Sequence, residues 1–383
     1  MNLEIVRLAG NGHRRERSRY WGFGIGIWCL LFAMLRAAAA QEREPASIPG
    51  LRSSYPRTNL STGYDVISSW PARPKNLNWG AMAGIAISPS DQIWTFNRGA
   101  VPVQVYTAEG VLVRSWGEGQ FREPHQVRFD RAGSVWLVDS GQHVVKKFTP
   151  EGKLLLTLGT PDEPGADSTH LNRPTDVAIT PTGQIFVADG YGNNRIVHFN
   201  EHGQFVGTWG SLGSAPGQFS LPHSIAVDSR GRLFVADRNN ARVQVFNQAG
   251  QFLDEWRDLL VPWHIVINER DEIYVCGSSP MRWSKIPIPG LIVGIPPKDQ
   301  LIMVFTGDGR AIQLFTFPKG QHPGELDWVH GLAVDRRGNL YLGDIQGRRA
   351  QKFLRLEPTG RFAEIAGKAQ PKRDETVRPA GKP

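Results

Sequence analysis

The hydrophobic positions of this chain recur in short alternating runs. Six segments share one pattern, in which a polar residue or glycine precedes two or three apolar residues and, usually, an aspartate. They are DQIWTFN at 91, GSVWLVD at 133, GQIFVAD at 183, GRLFVAD at 231, DEIYVCG at 271 and GNLYLGD at 338. Around each segment, further short apolar runs are separated by Gly, Asn and Pro, a pattern typical of strands and turns. The pattern predicts a repeated unit built from short strands.

The spacing of the six segments defines the repeat. Consecutive segments lie 42, 50, 48, 40 and 67 residues apart. Four short strands in each unit of this length are typical of a β-propeller blade. The sequence therefore predicts an all-β, six-bladed β-propeller, which we assign to residues 63–366. Two segments compete to close the ring against the last blade, namely GYDVISSW at 63–70 and RFAEIAG at 361–367.

Four regions fall outside the repeat pattern. Residues 1–40 combine arginines, an apolar run at 21–35 and small residues before Gln41, as in a signal peptide or an N-terminal membrane anchor. Either would make the protein exported, so we expect it to be periplasmic, extracellular or membrane-anchored. Residues 41–62 read as a polar linker and residues 367–383 as a disordered tail. Residues 278–300 are an insertion between blades 5 and 6 with apolar content of its own, a candidate lid or partner surface.

Charge and cysteine content narrow the possible partners. Residues 1–40 hold six Arg and two Glu, so they contribute +4 of the formal net charge of +8. The remaining excess is small, and we predict no nucleic-acid partner. Cys276 is the only cysteine beyond residue 40, so an intrachain disulfide in the propeller is excluded. The sequence does not indicate an oligomeric state.

Histidines occupy one position of the repeat in alternate blades. Counting back 14 residues from the end of each segment gives, in order, Ala83, His125, Thr175, His223, Trp263 and His330. Alternate blades of a closed ring of six lie a third of a turn apart, so the three histidines should converge on the axis. Three neutral imidazoles with no fourth protein ligand suit a Zn²⁺ ion with an open position. His264 is one residue out of this register, and we expect it not to be a ligand.

Further polar residues follow the same register. Arg98 and Arg238 come one position after the closing strand of their blades, and Tyr191 comes two positions after its own. These side chains should rim the face that carries the histidines. Two arginines beside a metal suit a small-molecule or peptide substrate with a terminal carboxylate, and a nearby cation lowers the pKa of a phenol towards use as a general base.

Aspartates and asparagines recur in the predicted turns. Because the aspartates repeat blade after blade, we expect them to cap turns rather than to perform chemistry. They are Asp139, Asp189, Asp237 and Asp344, and the turn asparagines are Asn193, Asn194, Asn239 and Asn240.

Several motifs give the chain a resemblance to a known family. They are SSWP at 68, FNRG at 96, EPHQV at 123, RPTDVAI at 173, VADGYGNNRIVHF at 187, GQFSLPHSIAV at 217, VADRNNARVQVF at 235 and WVHGLAV at 328. Over about residues 64–356 the chain resembles NHL-repeat propellers and, among them, the peptidyl-α-hydroxyglycine α-amidating lyases. The resemblance implies that zinc binds His125, His223 and His330. It also implies a catalytic tyrosine at Tyr191 and active-site arginines at Arg98 and Arg238.

The resemblance implies an activity as well. Such a lyase splits a carbinolamide, which is a peptidyl-α-hydroxyglycine or a related N-acyl α-hydroxy acid, into an amide and glyoxylate. Zinc would lower the pKa of the α-hydroxyl, and Tyr191 would take its proton. Arg98 and Arg238 would hold the carboxylate or keep Tyr191 ionised. The family also implies a structural calcium on backbone carbonyls that match Ile85 and Val127, but its aspartate ligand is replaced here by Gly331.

Two other classes of function remain open. A non-catalytic, exported NHL propeller that binds a protein or ligand would need no histidine triad. A lactonase-like hydrolase would resemble a set of carboxylates and asparagines around one divalent ion, whereas the asparagines here lie in predicted turns.

Overall fold

The computed structural model describes residues 63–257, 260–278 and 300–356. These residues form 24 β-strands and one short 3₁₀ turn, Arg238–Asn240, and no α-helix lies among them. The strands are β1 (Tyr64–Val66), β2 (Met82–Ile87), β3 (Ile93–Asn97), β4 (Val103–Tyr106), β5 (Leu112–Trp116), β6 (Pro124–Phe129), β7 (Val135–Asp139), β8 (Val144–Phe148), β9 (Leu154–Leu158), β10 (Asp176–Ile179), β11 (Ile185–Asp189), β12 (Arg195–Phe199), β13 (Phe205–Trp209), β14 (Pro222–Val227), β15 (Leu233–Asp237), β16 (Arg242–Phe246), β17 (Phe252–Trp256), β18 (Val261–Ile267), β19 (Ile273–Ser278), β20 (Gln300–Phe305), β21 (Ala311–Phe317), β22 (Val329–Val334), β23 (Leu340–Asp344) and β24 (Arg349–Arg355).

The strands form six four-stranded antiparallel sheets, one for each blade. In blades 1 to 5 the order in the sheet is the chain order, from β2–β5 through to β18–β21. Blade 6 has the order β22, β23, β24 and then β1, so the first strand of the chain completes the last blade. Tyr64 of β1 pairs with Arg355 of β24, and Val66 pairs with Phe353. The six-bladed propeller is confirmed, and GYDVISSW supplies the closing strand, while RFAEIAG lies outside the described residues.

Burial follows the position of each strand in its blade. Every residue of the second strands β7, β11 and β15 is buried, whereas the outermost strands β13 and β17 are largely exposed. The inner strands read as continuous apolar runs because neighbouring blades cover both of their faces. Trp94 and Phe96 of blade 1, for example, pack with Val135 and Leu137 of blade 2. Burial of one such side chain stabilises the fold by about 1.5–3 kcal/mol.

The recurring aspartates cap turns, as the sequence predicted. The Asp139 carboxylate accepts backbone N–H groups of Glu123 and Gly141 at 2.8 and 3.0 Å. In other blades the equivalent carboxylates also accept backbone N–H groups, for Asp189 from Asn172, for Asp237 from Ser220 and for Asp344 from Trp328. Each carboxylate ties the segment before the innermost strand to the end of the second strand.

Several predictions concern residues outside the described part. They are the signal peptide or anchor at 1–40, the linker at 41–62, most of the insertion at 278–300 and the tail at 367–383. Among the described residues, no helix has the length and apolar character that a membrane crossing requires. Cys276 is buried in β19, and burial raises the pKa of its thiol to about 12.

Candidate metal centre

The innermost strand of most blades carries a β-bulge near its start. The pairing with the second strand shifts by one residue at this point, so one residue has no partner opposite it. The unpaired residues are Ala83, His125, His223, Trp263 and His330. In blade 3 the equivalent Thr175 lies immediately before β10, and its N–H donates to Ala188 O at 2.8 Å. A bulge turns its residue out of the ladder, and it is the local reason that this one position faces the axis.

The three histidines meet at the axis. Their ring centroids lie 5.0 Å apart for His125 and His223, 4.8 Å for His125 and His330, and 4.9 Å for His223 and His330. All three side chains are buried, and one ligand atom from each lies within 4.8 Å of the others. Three buried imidazole nitrogens this close together could hold a metal ion, so the convergence predicted from the repeat is confirmed.

Each histidine is oriented by the blade that follows its own. His125 Nδ1–H donates to Thr175 O at 2.5 Å, and His223 Nδ1–H donates to Trp263 O at 2.5 Å. His330 Nδ1–H donates to Ala83 O at 2.7 Å across the closure of the ring. A carbonyl can only accept, so Nδ1 carries the proton and Nε2 is the unprotonated nitrogen. Such a bond to the second ring nitrogen is what a metal-binding histidine needs.

Electrostatics also favour neutral imidazoles. Burial lowers the pKa of His125 and His223 well below the usual value, and the neighbouring histidines lower it further. Burial lowers the pKa of His330 to about 3. The rings are therefore neutral at physiological pH, which is the form that binds a metal.

Tyr191 lies beside the three rings. Its Oη is 3.1 Å from His125 Nε2 and 3.0 Å from His223 Nε2, and its backbone N–H donates to Arg173 O at 3.3 Å. Burial raises the pKa of Tyr191, while the charges of Arg238 and Arg98 oppose that rise. A cation bound beside the phenol would also lower its pKa and so oppose the effect of burial.

The two predicted arginines lie in different surroundings. Arg238 begins the 3₁₀ turn and is only 7% exposed, with its guanidinium 4.3 Å from the ring centre of Trp263. Arg98 follows β3, and its Nε donates to Pro124 O at 3.0 Å. Its side chain is 30% exposed and lies 3.3 Å from the Glu123 carboxylate. Arg238 is therefore a buried charge next to the tyrosine, and Arg98 is a more accessible one beside the strand that carries His125.

Two residues of this cluster were missed by the sequence analysis. Arg173 Nη2 lies 2.8 Å from Glu123 Oε2, and its guanidinium is 5.3 Å from the ring centre of Tyr191. Glu123 therefore pairs with both Arg98 and Arg173. The repeat contained a signal for both, since Glu123 precedes His125 by two residues and Arg173 precedes Thr175 by two.

His264 occupies the layer below the triad. Its Nδ1 accepts a hydrogen bond from Gln126 Nε2 at 2.8 Å, and it is absent from the set of close ligand atoms. This position agrees with the prediction that His264, one residue out of the histidine register, is not a ligand.

The residues near Ile85 and Val127 do not fit a calcium ion of the kind that the family implies. Gly331 supplies no carboxylate, and a Cβ atom added there would lie 3.0 Å from Cγ2 and from the backbone N of Ile85. Ca²⁺ needs six to eight oxygen ligands, usually with carboxylates among them. A side chain with a carboxylate would not fit at Gly331 unless Ile85 moved.

A separate cavity opens at the far ends of the inner strands. It has a volume of about 580 Å³, and its walls include Ile87, Phe129, Ile267 and Val334. Arg336 bridges Asp91 and Glu269 at its edge. None of the predicted site residues line this cavity.

Comparisons with known proteins agree with the fold and the motifs. The NHL repeat family matches residues 171–199 and 219–246. The chain is 33% identical to NHL repeat-containing protein 3 of Mus musculus, a match that covers 73% of this chain and 82% of that protein. It is 28% identical to the probable peptidyl-alpha-hydroxyglycine alpha-amidating lyase pgal-1 of Caenorhabditis elegans, with coverage of 69% and 77%.

Longer proteins match as well. The chain is 30% identical to peptidyl-glycine alpha-amidating monooxygenase B of Xenopus laevis over 78% of its own length. That match covers 36% of the frog protein, so the chain spans about a third of such relatives. Among solved structures, a streptogramin B lyase superimposes with a TM-score of 0.51 at 14% identity, covering 76% of this chain and 97% of the other. At this identity the likeness supports the propeller fold alone.

Proposed function

We infer the function from two findings: the chain belongs to the NHL-repeat family of six-bladed β-propellers, and it resembles the peptidyl-α-hydroxyglycine α-amidating lyases. We propose that it is a zinc-dependent carbinolamide lyase. The substrate class is a peptidyl-α-hydroxyglycine or a related N-acyl α-hydroxy acid. The products are an amide and glyoxylate.

One observation carries the proposal, which is the position of Tyr191 against the triad. Its Oη lies 3.0 to 3.1 Å from the unprotonated Nε2 atoms of two histidines whose rings are oriented by their Nδ1–H bonds. A non-catalytic propeller has no need for a buried phenol at this point. A proton-accepting group beside an open metal position is what removal of a hydroxyl proton requires.

The donor set favours zinc. Three neutral imidazoles with no fourth protein ligand are typical of catalytic rather than structural zinc sites. When bound, zinc supplies Lewis acidity, which lowers the pKa of a hydroxyl group placed beside it.

The chain's own residues account for the proton and for the broken bond. Tyr191, as phenolate, takes the proton of the substrate's α-hydroxyl. The carbon–nitrogen bond then breaks, the α-carbon becomes the aldehyde carbon of glyoxylate, and the electron pair goes to the amide nitrogen. Tyr191 returns its proton to that nitrogen, so the tyrosine ends the cycle as it began.

The different surroundings of the two arginines suggest different roles. Arg238 is buried beside Tyr191, and its charge opposes the rise in the pKa of that phenol. Arg98 is partly exposed and can offer its guanidinium to a carboxylate once Glu123 gives way. We therefore assign Arg238 to keeping Tyr191 ionised and Arg98 to binding the carboxylate of the substrate.

The proposal is tested by measuring glyoxylate release from N-benzoyl-α-hydroxyglycine by the zinc-loaded protein. We expect glyoxylate and benzamide in equal amounts from the wild type, and neither above background from Tyr191→Phe. His202→Ala, at an exposed site, is the matched control and should retain full turnover. A zinc-loaded wild type that releases neither product would refute the lyase and favour a propeller that only binds ligands.

A further inference from the structure

The axial channel contains an arginine below the histidine layer, and its side chain is 16% exposed. Arg128 lies in β6, and its Nε and Nη2 donate to the two oxygens of Asp176 at 3.0 and 2.6 Å. The same Nη2 lies 2.9 Å from Ile265 O and 3.3 Å from Ile225 O. One guanidinium from blade 2 thus contacts blades 3, 4 and 5.

The repeat shows what these contacts replace. Ile225 and Ile265 follow the axial position of their blades by two residues, as Ile85 and Val127 do in blades 1 and 2. The carbonyls that Arg128 contacts are therefore the equivalents, in blades 4 and 5, of those that the family would give to calcium.

The carboxylate that Arg128 contacts lies in blade 3. Asp176 follows Thr175 by one residue, just as Gly331 follows His330 by one. The chain thus carries an acid in blade 3 at the position where blade 6 has glycine. Asp176 is fully buried, and Ser224 Oγ–H also donates to it at 2.6 Å, so its charge is held by fixed donors.

A guanidinium and a divalent cation are alternatives at such a place. The guanidinium brings one positive charge and donors in a fixed fork that match a carboxylate, with a further N–H free for carbonyls. A calcium ion in the same channel would meet this positive charge and would lack a free carboxylate. We propose that Arg128 is a built-in cation that takes the place of the structural calcium, so that this propeller is calcium-independent.

The contacts of Arg128 lie next to the carbonyls that orient two of the histidines. Asp176 is adjacent to Thr175, whose carbonyl holds His125, and Ile265 is two residues from Trp263, whose carbonyl holds His223. Arg128 thus links two segments whose carbonyls hold two of the three histidines.

The direct test is calcium binding by the wild-type protein. We expect no calcium to remain after equilibrium dialysis against millimolar CaCl₂ and desalting, and no change of the Tm during a CaCl₂ titration. About one calcium per chain, with a rise in Tm of about 5 °C or more, would overturn the proposal. The measurement does not involve zinc or turnover, so it is independent of the lyase assignment.

Variants that remove the arginine test whether calcium can then take its place. Arg128→Met keeps an unbranched side chain close to the length of the arginine stem but leaves Asp176 and the carbonyls without their cation. We expect its Tm to fall by several degrees and to rise again with CaCl₂, while Arg131→Met, at an exposed site three residues further on, behaves as the wild type. An Arg128→Met protein as stable as the wild type, or one with no calcium response, would contradict the proposal. Should this variant not fold, the titration of the wild type still decides the question.

Discussion

The even and odd blades use one backbone position for opposite purposes. In blades 2, 4 and 6 the bulge residue is a histidine whose ring reaches the axis. In blades 1, 3 and 5 the equivalent residue is Ala83, Thr175 or Trp263, and the carbonyl of that residue accepts the Nδ1–H of the preceding histidine. Even blades therefore supply candidate ligands through side chains, and odd blades orient them through the backbone.

The difference explains why three ligands suit a ring of six. Six histidines at this position would crowd the axis. Alternation gives each histidine its own acceptor, so all three rings share one tautomer and one orientation. It follows that substitutions in the two sets of blades should affect metal binding and activity very differently.

Loss of an even-blade histidine should have the largest effect. We expect His330→Ala to lose the metal and at least about 10³-fold in kcat/KM, because a bound metal supplies several kcal/mol to the transition state. Removal of the metal with a chelator should lower the activity of the wild type equally, and added Zn²⁺ should restore the wild type but not the variant. Retention of metal and activity in His330→Ala would contradict the assignment of ligands.

Removal of the tyrosine hydroxyl should separate chemistry from metal binding. In Tyr191→Phe we expect kcat to fall by about 10²–10⁴, the usual contribution of a general base, while metal content stays at the wild-type level. Stopped-assay measurement of glyoxylate together with elemental analysis checks both. Full turnover in this variant would remove Tyr191 from the mechanism.

The two arginines should give different kinetic signatures. Arg238→Gln should lower kcat by about tenfold or more, since one pKa unit on Tyr191 corresponds to 1.36 kcal/mol. Arg98→Gln should mainly raise KM, by about tenfold to a hundredfold, because a hydrogen bond to a charged group contributes about 1.5–3 kcal/mol. Steady-state kinetics of both variants would show equal effects on kcat and KM if the division of roles is wrong.

Loss of an odd-blade side chain should have the smallest effect. Thr175→Val keeps the carbonyl that holds His125 but removes a hydroxyl that lies 2.8 Å from Pro222 O. We expect the free energy of unfolding to fall by about 1–3 kcal/mol, with metal content unchanged. Chemical denaturation and elemental analysis test this, and loss of the metal would mean that the side chain, as well as the backbone, of blade 3 supports the site.

Much of this site could be predicted because the repeat fixes it. The 14-residue offset placed His125, His223 and His330 correctly, since the same bulge occurs at that point in each of their blades. The strand that closes the ring could be recognised from its outer-strand pattern, although the sequence alone did not choose between two candidates.

The remaining features depend on contacts between blades, which a period does not encode. Arg128 reads as an ordinary residue of EPHQVRF, yet its partners Asp176 and Ile265 lie 48 and 137 residues further along the chain. The pairing of Glu123 with both Arg98 and Arg173 likewise appears only when neighbouring blades are placed side by side. Such side-chain pairings can be recognised only once the blades are placed in the closed ring.

The most direct test of the account is the zinc content of three purified proteins, measured by elemental mass spectrometry. We predict about one zinc per chain in the wild type and in His264→Gln, whose histidine lies outside the register, and almost none in His223→Ala. The absence of stoichiometric metal from wild-type protein purified without chelator, or equal loss in both variants, would contradict the three-histidine centre.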